Sequence, residues 1–271
     1  MRIGFIGGGN MATALISSLF ASGHNIDRVQ VADPGTAARD YLRKRWPVTC
    51  YECAADAIKG MDAIVLAVKP QVLPLVLDEI HDLVTDRQLV ISIVAGIPTS
   101  LIAAHLKAKP PIVRTMPNTP ALIGLGITGM YARVNCTLAQ RELAQNLMES
   151  AGEVVWLDRE SLLDVVTAVS GSGPAYFYYL IESLRNAGTR LGLPAEVAAK
   201  LALHTAHGAC AMAVESDLDV AELRLRVTTP GGTTEAAMAQ LDAGHYEDLI
   251  DSAITAATRR GQELADDGAR S

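Results

Sequence analysis

A chain of 271 residues with 49% hydrophobic and 20% charged side chains is a folded protein with room for one large domain or two ordinary ones, which excludes extensive disorder. A net charge of -7 argues against a surface built to grip nucleic acid or anionic lipid, leaving small molecules as the expected partners. The four cysteines, Cys50, Cys53, Cys136 and Cys210, suit a reducing compartment that keeps them as thiols; "CYEC" has the spacing of a metal or redox pair but nothing beside it completes a metal site, so no metal is expected.

The chain opens on "RIGFI" and then "GGGNMATALISSLFASG". A basic start and an apolar stretch resemble an export signal, but Gly7, Gly8, Gly9 and Asn10 interrupt the core of that stretch. Later, "AIVLAVKPQVLPLVL" is broken by Lys69 and two prolines, short of the roughly 18 unbroken apolar residues of a membrane span. A cytoplasmic protein is expected. Up to residue 157, the runs "RIGFI", "VQVA", "AIVLAV", "LVISIV", "PIVRTM", "ITGMYA" and "VVWL" predict strands buried on both faces. Helical stretches such as "NMATALISSLFASG" and "QVLPLVLDEIHDLV" separate several of them. The alternation predicts an α/β domain, a doubly wound, mostly parallel sheet with helices on both sides.

Gly7, Gly9 and Ala12 stand in the order G-x-G-x-x-A, directly after a strand and leading into a helix. In that context the first glycine permits a tight turn, the second lets backbone approach a pyrophosphate, and the third small residue lets helix and strand pack closely. The phosphates then rest on the helix N-terminus, whose first turn holds Asn10 and Met11. Asp33 closes the second strand, where an acidic residue bonds ribose hydroxyls and repels a 2′-phosphate, or else simply starts a turn before Pro34. Arg39 and Arg43 follow and could offset its charge. "LAVKPQ" and "SIVAGI" end further strands, so both loops should edge a cofactor bound beyond the strand ends, with Lys69 either a cofactor contact or a solvated surface lysine.

After about residue 160 the strand signals stop. Tyr176, Leu180, Leu184, Ala187 and Leu191 share one helix face, "LGLP" at 191 to 194 divides two helices, and Val197, Leu201, Gly208 and Met212 continue a second face. Further helices are expected over 218 to 226, 234 to 242 and 246 to 265, with a frayed tail "DDGARS". His204 and His207 are read as helix-face histidines without a metal. So apolar a helical set points to association with a second copy, the alternative being a self-contained helical bundle. The expected domains are 1–157 and 158–271. Within the second, "TTPGGTT" at 228 to 234 places two glycines between threonine pairs at a helix start, without the lysine of a nucleotide phosphate loop.

Together, "GFIGGGNMA", "AVKPQ", "MPNTPA" at 116 to 121, "VSGSGPAY" at 169 to 176 and "TTPGGTT" resemble pyrroline-5-carboxylate reductase over nearly the whole chain. The resemblance implies reduction of the imine of 1-pyrroline-5-carboxylate to L-proline, the last step of proline biosynthesis. It implies a Rossmann domain joined to an all-α domain that builds homodimers, often assembled further into a decamer as a pentamer of dimers, with the active site between the two domain types. NADPH is the implied cofactor, with NADH the alternative. Carried over by motif, Ile6, Gly7, Gly8, Gly9, Asn10, Met11 and Asp33 serve the cofactor, as do Ala67, Val68, Lys69, Pro70, Ile93, Val94 and Ala95. Glu160, Ser170, Ser172, Gly231, Gly232, Thr233 and Thr234 serve the substrate, with Thr234 the catalytic candidate near the ring nitrogen. The serines could instead simply begin a helix at Pro174, and the threonines could merely cap one.

Two departures stand out. The family commonly carries a small or basic residue where Asp33 stands, which puts NADP preference in doubt, and a cofactor-contacting Asn aligns with Ala54. A β-hydroxyacid dehydrogenase would need a helix-borne lysine as acid and base, yet Lys200, the only lysine of the helical half, lacks the accompanying motif. A nucleotide-sensing regulator would need neither the "TTPGGTT" loop nor Glu160.

Overall fold

The computed structural model describes residues 1–23 and 27–270, with side-chain surroundings as far as residue 263. Its sheet has eight strands: β1 (Arg2–Ile6), β2 (Arg28–Ala32), β3 (Thr49–Tyr51), β4 (Ala63–Leu66), β5 (Leu89–Ser92), β6 (Ile112–Met116), β7 (Gly126–Ala132) and β8 (Gly152–Trp156), in the order 3-2-1-4-5-6-7-8. Six strands run parallel; β7 is antiparallel to β6 and β8 is parallel to β7. Connection length decides the direction. Only a short 3-10 turn, Thr119–Ile123, joins β6 to β7, whereas a parallel crossover needs a dozen or more residues. Between β7 and β8 the helix Leu138–Glu149 supplies such a crossover.

The helices of this sheet are α1 (Asn10–Ala21), α2 (Thr36–Arg45), α3 (Ala54–Ala57), α4 (Leu73–Ile80), α5 (Thr99–His105), α6 (Leu138–Glu149) and α7 (Leu162–Val166). One buried cluster gathers Phe5, Leu15, Leu19, Val65, Ile91 and Leu147, and a second gathers Ile6, Ile58, Leu66, Leu77, Val90 and Ile102. Alternate residues of β1, β4 and β5 thus serve opposite layers, which explains why these strands are predominantly apolar. The strand β3 has no counterpart among the runs picked out by sequence. It is three residues long, and it turns "CYEC" into two unlike thiols: Cys50 is buried and Cys53 is exposed at the start of α3. Burial pushes the Cys50 thiol up, away from the thiolate form.

Two compact units divide the chain, residues 1–172 with 256–271, and residues 173–255. The segment between 157 and 172 groups with the sheet because α7 packs on it: a Cβ at Gly129 of β7 would lie 2.8 Å from Val166 Cγ1. The second unit comprises α8 (Gly173–Arg190), α9 (Ala195–Glu215), α10 (Val220–Arg226), α11 (Thr233–Ala243) and the first turns of α12 (Tyr246–Arg270). The "LGLP" break falls between α8 and α9, and Ala198 and Ala202 are buried. The helix α12 runs on through the tail expected to fray, as far as Arg270, while Ser271 lies outside the described residues. Phe177, Tyr178, Leu180, Leu184, Leu201, Leu203, Met212 and Leu249 are exposed. An apolar surface of this extent marks an interaction face. By length and composition alone, α9 could cross a membrane, but it carries Glu196, Lys200, His204 and His207.

Candidate functional site

The loop after β1 places three glycines in three different environments. Gly7 has φ +101°, and a Cβ there would sit 2.5 Å from the carbonyl oxygen of Ala67, so no other residue fits without displacing backbone. The Gly8 amide donates to Asp33 Oδ2 at 2.8 Å. Gly9 precedes α1 with nothing within 4 Å of a built Cβ, no side-chain cap, and no acidic residue in the first turn. The first-turn amides of Asn10 and Met11 lack intrahelical partners and carry the positive end of the helix dipole. This open, uncapped helix start, with buried Ala12 holding α1 close to the sheet, is a cradle for a diphosphate.

The cradle lies where the strand order reverses, between β1 and β4. A cavity of about 430 Å³ opens there, lined among others by Ile6, Gly7, Gly9, Asp33, Ala67, Val68 and Lys69. Gly8, Asn10, Met11 and Pro70 flank this wall without lining it. Ile93, Val94 and Ala95 follow β5 instead; the Ile93 amide donates to Leu66 O at 3.1 Å and the buried Val94 amide to Ser92 Oγ at 3.3 Å. Glu52 and Glu79 also line the cavity. Neither belongs to a motif, and only the fold brings them there. A larger depression between α8 and α9, about 590 Å³, gathers Arg185, Thr189, Arg190 and Glu196 and none of the motif residues.

Asp33 fills the turn-forming role: its Oδ1 accepts from the Gly35 amide at 2.8 Å while Oδ2 holds Gly8. Each oxygen keeps a lone pair for a ribose hydroxyl. The two arginines that follow are engaged in the fold. Arg39 donates to the carbonyls of Asp33 and Pro34 at 2.6 and 2.8 Å, and Arg43 to that of Cys50 at 2.7 Å.

On the other side of the sheet's middle, Arg114 of β6 is buried against two carboxylates, Glu160 at 3.4 Å and Asp164 at 3.2 Å. Glu160 is fully engaged: it accepts from the Thr99 amide at 2.6 Å and the Thr99 hydroxyl at 2.7 Å, capping α5. These bonds fasten α7 to the sheet. A π-helical turn, Thr167–Gly171, follows α7, closed by Ser172 N donating to Thr167 O at 2.8 Å, and such turns often mark functional positions. The Ser170 hydroxyl donates to Val166 O at 2.9 Å. Buried Asn118 of "MPNTPA" ties two motifs together, accepting from the Ile127 amide at 3.0 Å and donating to the Ser170 carbonyl at 3.2 Å. The role of Asn118 is not legible in the motif, because an amide's partners are set by tertiary structure.

In the second unit, Gly231 takes φ +73° and Gly232 precedes α11, whose first residues are Thr233 and Thr234. No side chain caps this helix, so the threonines do not. Glu235 reaches back to the Gly231 amide at 2.7 Å, bracing the loop much as the glutamate of a capping box does. The loop therefore presents the first amides of α11 beside two hydroxyls, a combination suited to a small carboxylate.

Residues 160–264 match the family model described as pyrroline-5-carboxylate reductase dimerisation, and residues 2–96 that described as NADP oxidoreductase coenzyme F420-dependent. The chain is 44% identical to a pyrroline-5-carboxylate reductase of Pseudomonas aeruginosa, with 98% of this chain and 97% of the relative covered. Among solved structures, the pyrroline-5-carboxylate reductase of Coxiella burnetii has a TM-score of 0.91 at 38% identity, covering 97% of this chain and 98% of that one. The Plasmodium falciparum pyrroline carboxylate reductase, solved with NADP bound, has a TM-score of 0.85 at 28% identity, with 98% of both chains covered.

Proposed function

The chain belongs to the pyrroline-5-carboxylate reductase family, and on that premise we propose how its residues divide the work of an NAD(P)H-dependent reduction of 1-pyrroline-5-carboxylate to L-proline. The bound dinucleotide supplies a hydride. Gly7, Gly9 and the first-turn amides of α1, at Asn10 and Met11, hold its diphosphate, and Asp33 holds the adenosine ribose. Ala67 to Pro70 and Ile93 to Ala95 flank it. The division at residue 157 is retained in this functional sense, with residues 158–271 carrying the substrate and dimer functions.

The observation that carries the substrate assignment is the uncapped start of α11 behind a Gly-Gly turn. Its amides and the Thr233 hydroxyl hold the substrate carboxylate. The Thr234 hydroxyl holds the ring nitrogen, where the proton that completes the amine resides. An iminium carbon accepts hydride directly, so positioning and charge complementarity carry most of the catalysis and no histidine or lysine is required. Ser170 and Ser172 serve the substrate from the π-helical turn. With both oxygens of Glu160 engaged by Thr99 and Arg114, its part is to hold α7 and the turn after it on the sheet. The exposed apolar helices of the second unit form a homodimer, extended to a decamer, in the cytoplasm.

Thr234→Val is isosteric and removes only the hydroxyl. It should lower kcat/KM for 1-pyrroline-5-carboxylate about 10- to 100-fold, the loss of one hydrogen bond worth roughly 1.5 to 3 kcal/mol. Dinucleotide Kd, read by nicotinamide fluorescence, should not move. Unchanged kcat/KM would remove Thr234 from the mechanism.

A further inference from the structure

We propose that this enzyme selects against the 2′-phosphate of NADPH and binds NADH preferentially, with Asp33 as the specificity-determining residue. The inference rests on the dinucleotide reading of the cradle and concerns the adenosine side of the same cavity. The cavity carries three carboxylates, Asp33, Glu52 and Glu79, against one ammonium, Lys69. A 2′-phosphate brings up to two further negative charges toward this wall, and like charges at close range oppose binding.

The Asp33 carboxylate cannot swing aside. Its two oxygens are held by the Gly8 and Gly35 amides, both at 2.8 Å, so turning away would break the bonds that shape the glycine loop. Nor can the loop recede readily, since a Cβ at Gly8 would already stand 3.1 Å from Leu42 Cδ1. The arginines that might neutralise a phosphate are committed elsewhere. The Arg39 side chain is only 12% exposed; its Nη1 serves the Asp33 and Pro34 carbonyls and its Nη2 lies 3.3 Å from Thr36 Oγ1 and 4.0 Å from Glu52. Arg43 is held by the Cys50 carbonyl and by Asp40 at 3.6 Å. To reach a phosphate, Arg39 would have to give up the carbonyls that close its turn. Ala54, on the same wall, has no side-chain donor.

The test is equilibrium binding of NADH and of NADPH to the full-length protein, read by nicotinamide fluorescence. The native protein should bind NADH at least about tenfold more tightly than NADPH. Asp33→Ser should invert that order, tightening NADPH about tenfold while weakening NADH a few-fold as the ribose contact is lost. Because this change also removes bonds to the glycine loop, Glu52→Gln serves as the second variant. Glu52 is 73% exposed and touches its surroundings through the 4.0 Å pair with Arg39, and its neutralisation should improve NADPH affinity about threefold. Tighter binding of NADPH than NADH by the native protein would overturn the proposal while leaving the dinucleotide site standing. Equal weakening of both nucleotides in Asp33→Ser, with no effect of Glu52→Gln, would also overturn it. Failure to bind either nucleotide would overturn the dinucleotide reading and this proposal together.

Discussion

Gly9→Val should lose at least about a hundredfold in dinucleotide affinity, close to 3 kcal/mol, while the thermal midpoint stays within a few degrees of the native value. The two effects separate because Gly9 has an ordinary backbone conformation, φ -73° and ψ -174°, and open space where a Cβ would go. No atom lies within 4 Å of the new Cβ, and the poorer helix cap accounts for the few degrees. What the valine fills is the volume through which a diphosphate must approach the amides of Asn10 and Met11. The adjacent Gly7 makes the contrast. Gly7→Ala forces a Cβ to 2.5 Å from Ala67 O at φ +101°, so it should cost stability as well, roughly 1 to 3 kcal/mol or more. Scanning calorimetry and a fluorescence titration on both variants check the pair. A Gly9→Val protein that binds dinucleotide normally would show that the cradle is not the diphosphate site.

Arg114→Met should be the most damaging single change away from the glycine loop. The guanidinium is buried at 6% exposure between Glu160 and Asp164, and methionine fills much of its volume without its charge. Removing one partner of a buried ion pair leaves the others uncompensated and typically costs about 3 to 5 kcal/mol. For a chain of this size that corresponds to a fall of roughly 10 °C in the midpoint. The loss should concentrate where the triad acts, loosening α7 and the π-helical turn that carries Ser170 and Ser172. Adding Glu160→Gln and Asp164→Asn to Arg114→Met should recover most of the stability, because no buried charge is then unpaired. A single variant as stable as the native protein would mean that the triad holds nothing in place.

The strands and the glycine loop were legible because their physics leaves few choices of residue. A strand covered on both faces must be largely apolar, as "AIVL" is throughout and "LVIS" is up to Ser92, and only glycine can occupy Gly7. The helical face through Leu180 and Leu184 was legible as periodicity, although it stays exposed within the chain. Less could be read where tertiary structure makes the decision. The strand β3 is too short and mixed to stand out, and the reversal at β7 follows from a connection whose length matters more than its composition. In the site, Glu52 and Glu79 reach the cavity from outside every motif, and Asn118 and Arg114 acquire their partners from 9 to 52 residues away in sequence. Asp33 was legible as a choice between a turn former and a ribose ligand. Its two amide bonds establish the first role and leave lone pairs for the second.

The most direct test of the whole account is to supply the purified protein with 1-pyrroline-5-carboxylate and either reduced dinucleotide, following nicotinamide absorbance and proline in the same reaction. One L-proline should form for each dinucleotide oxidised. No oxidation with either NADH or NADPH, or oxidation without proline, would contradict it.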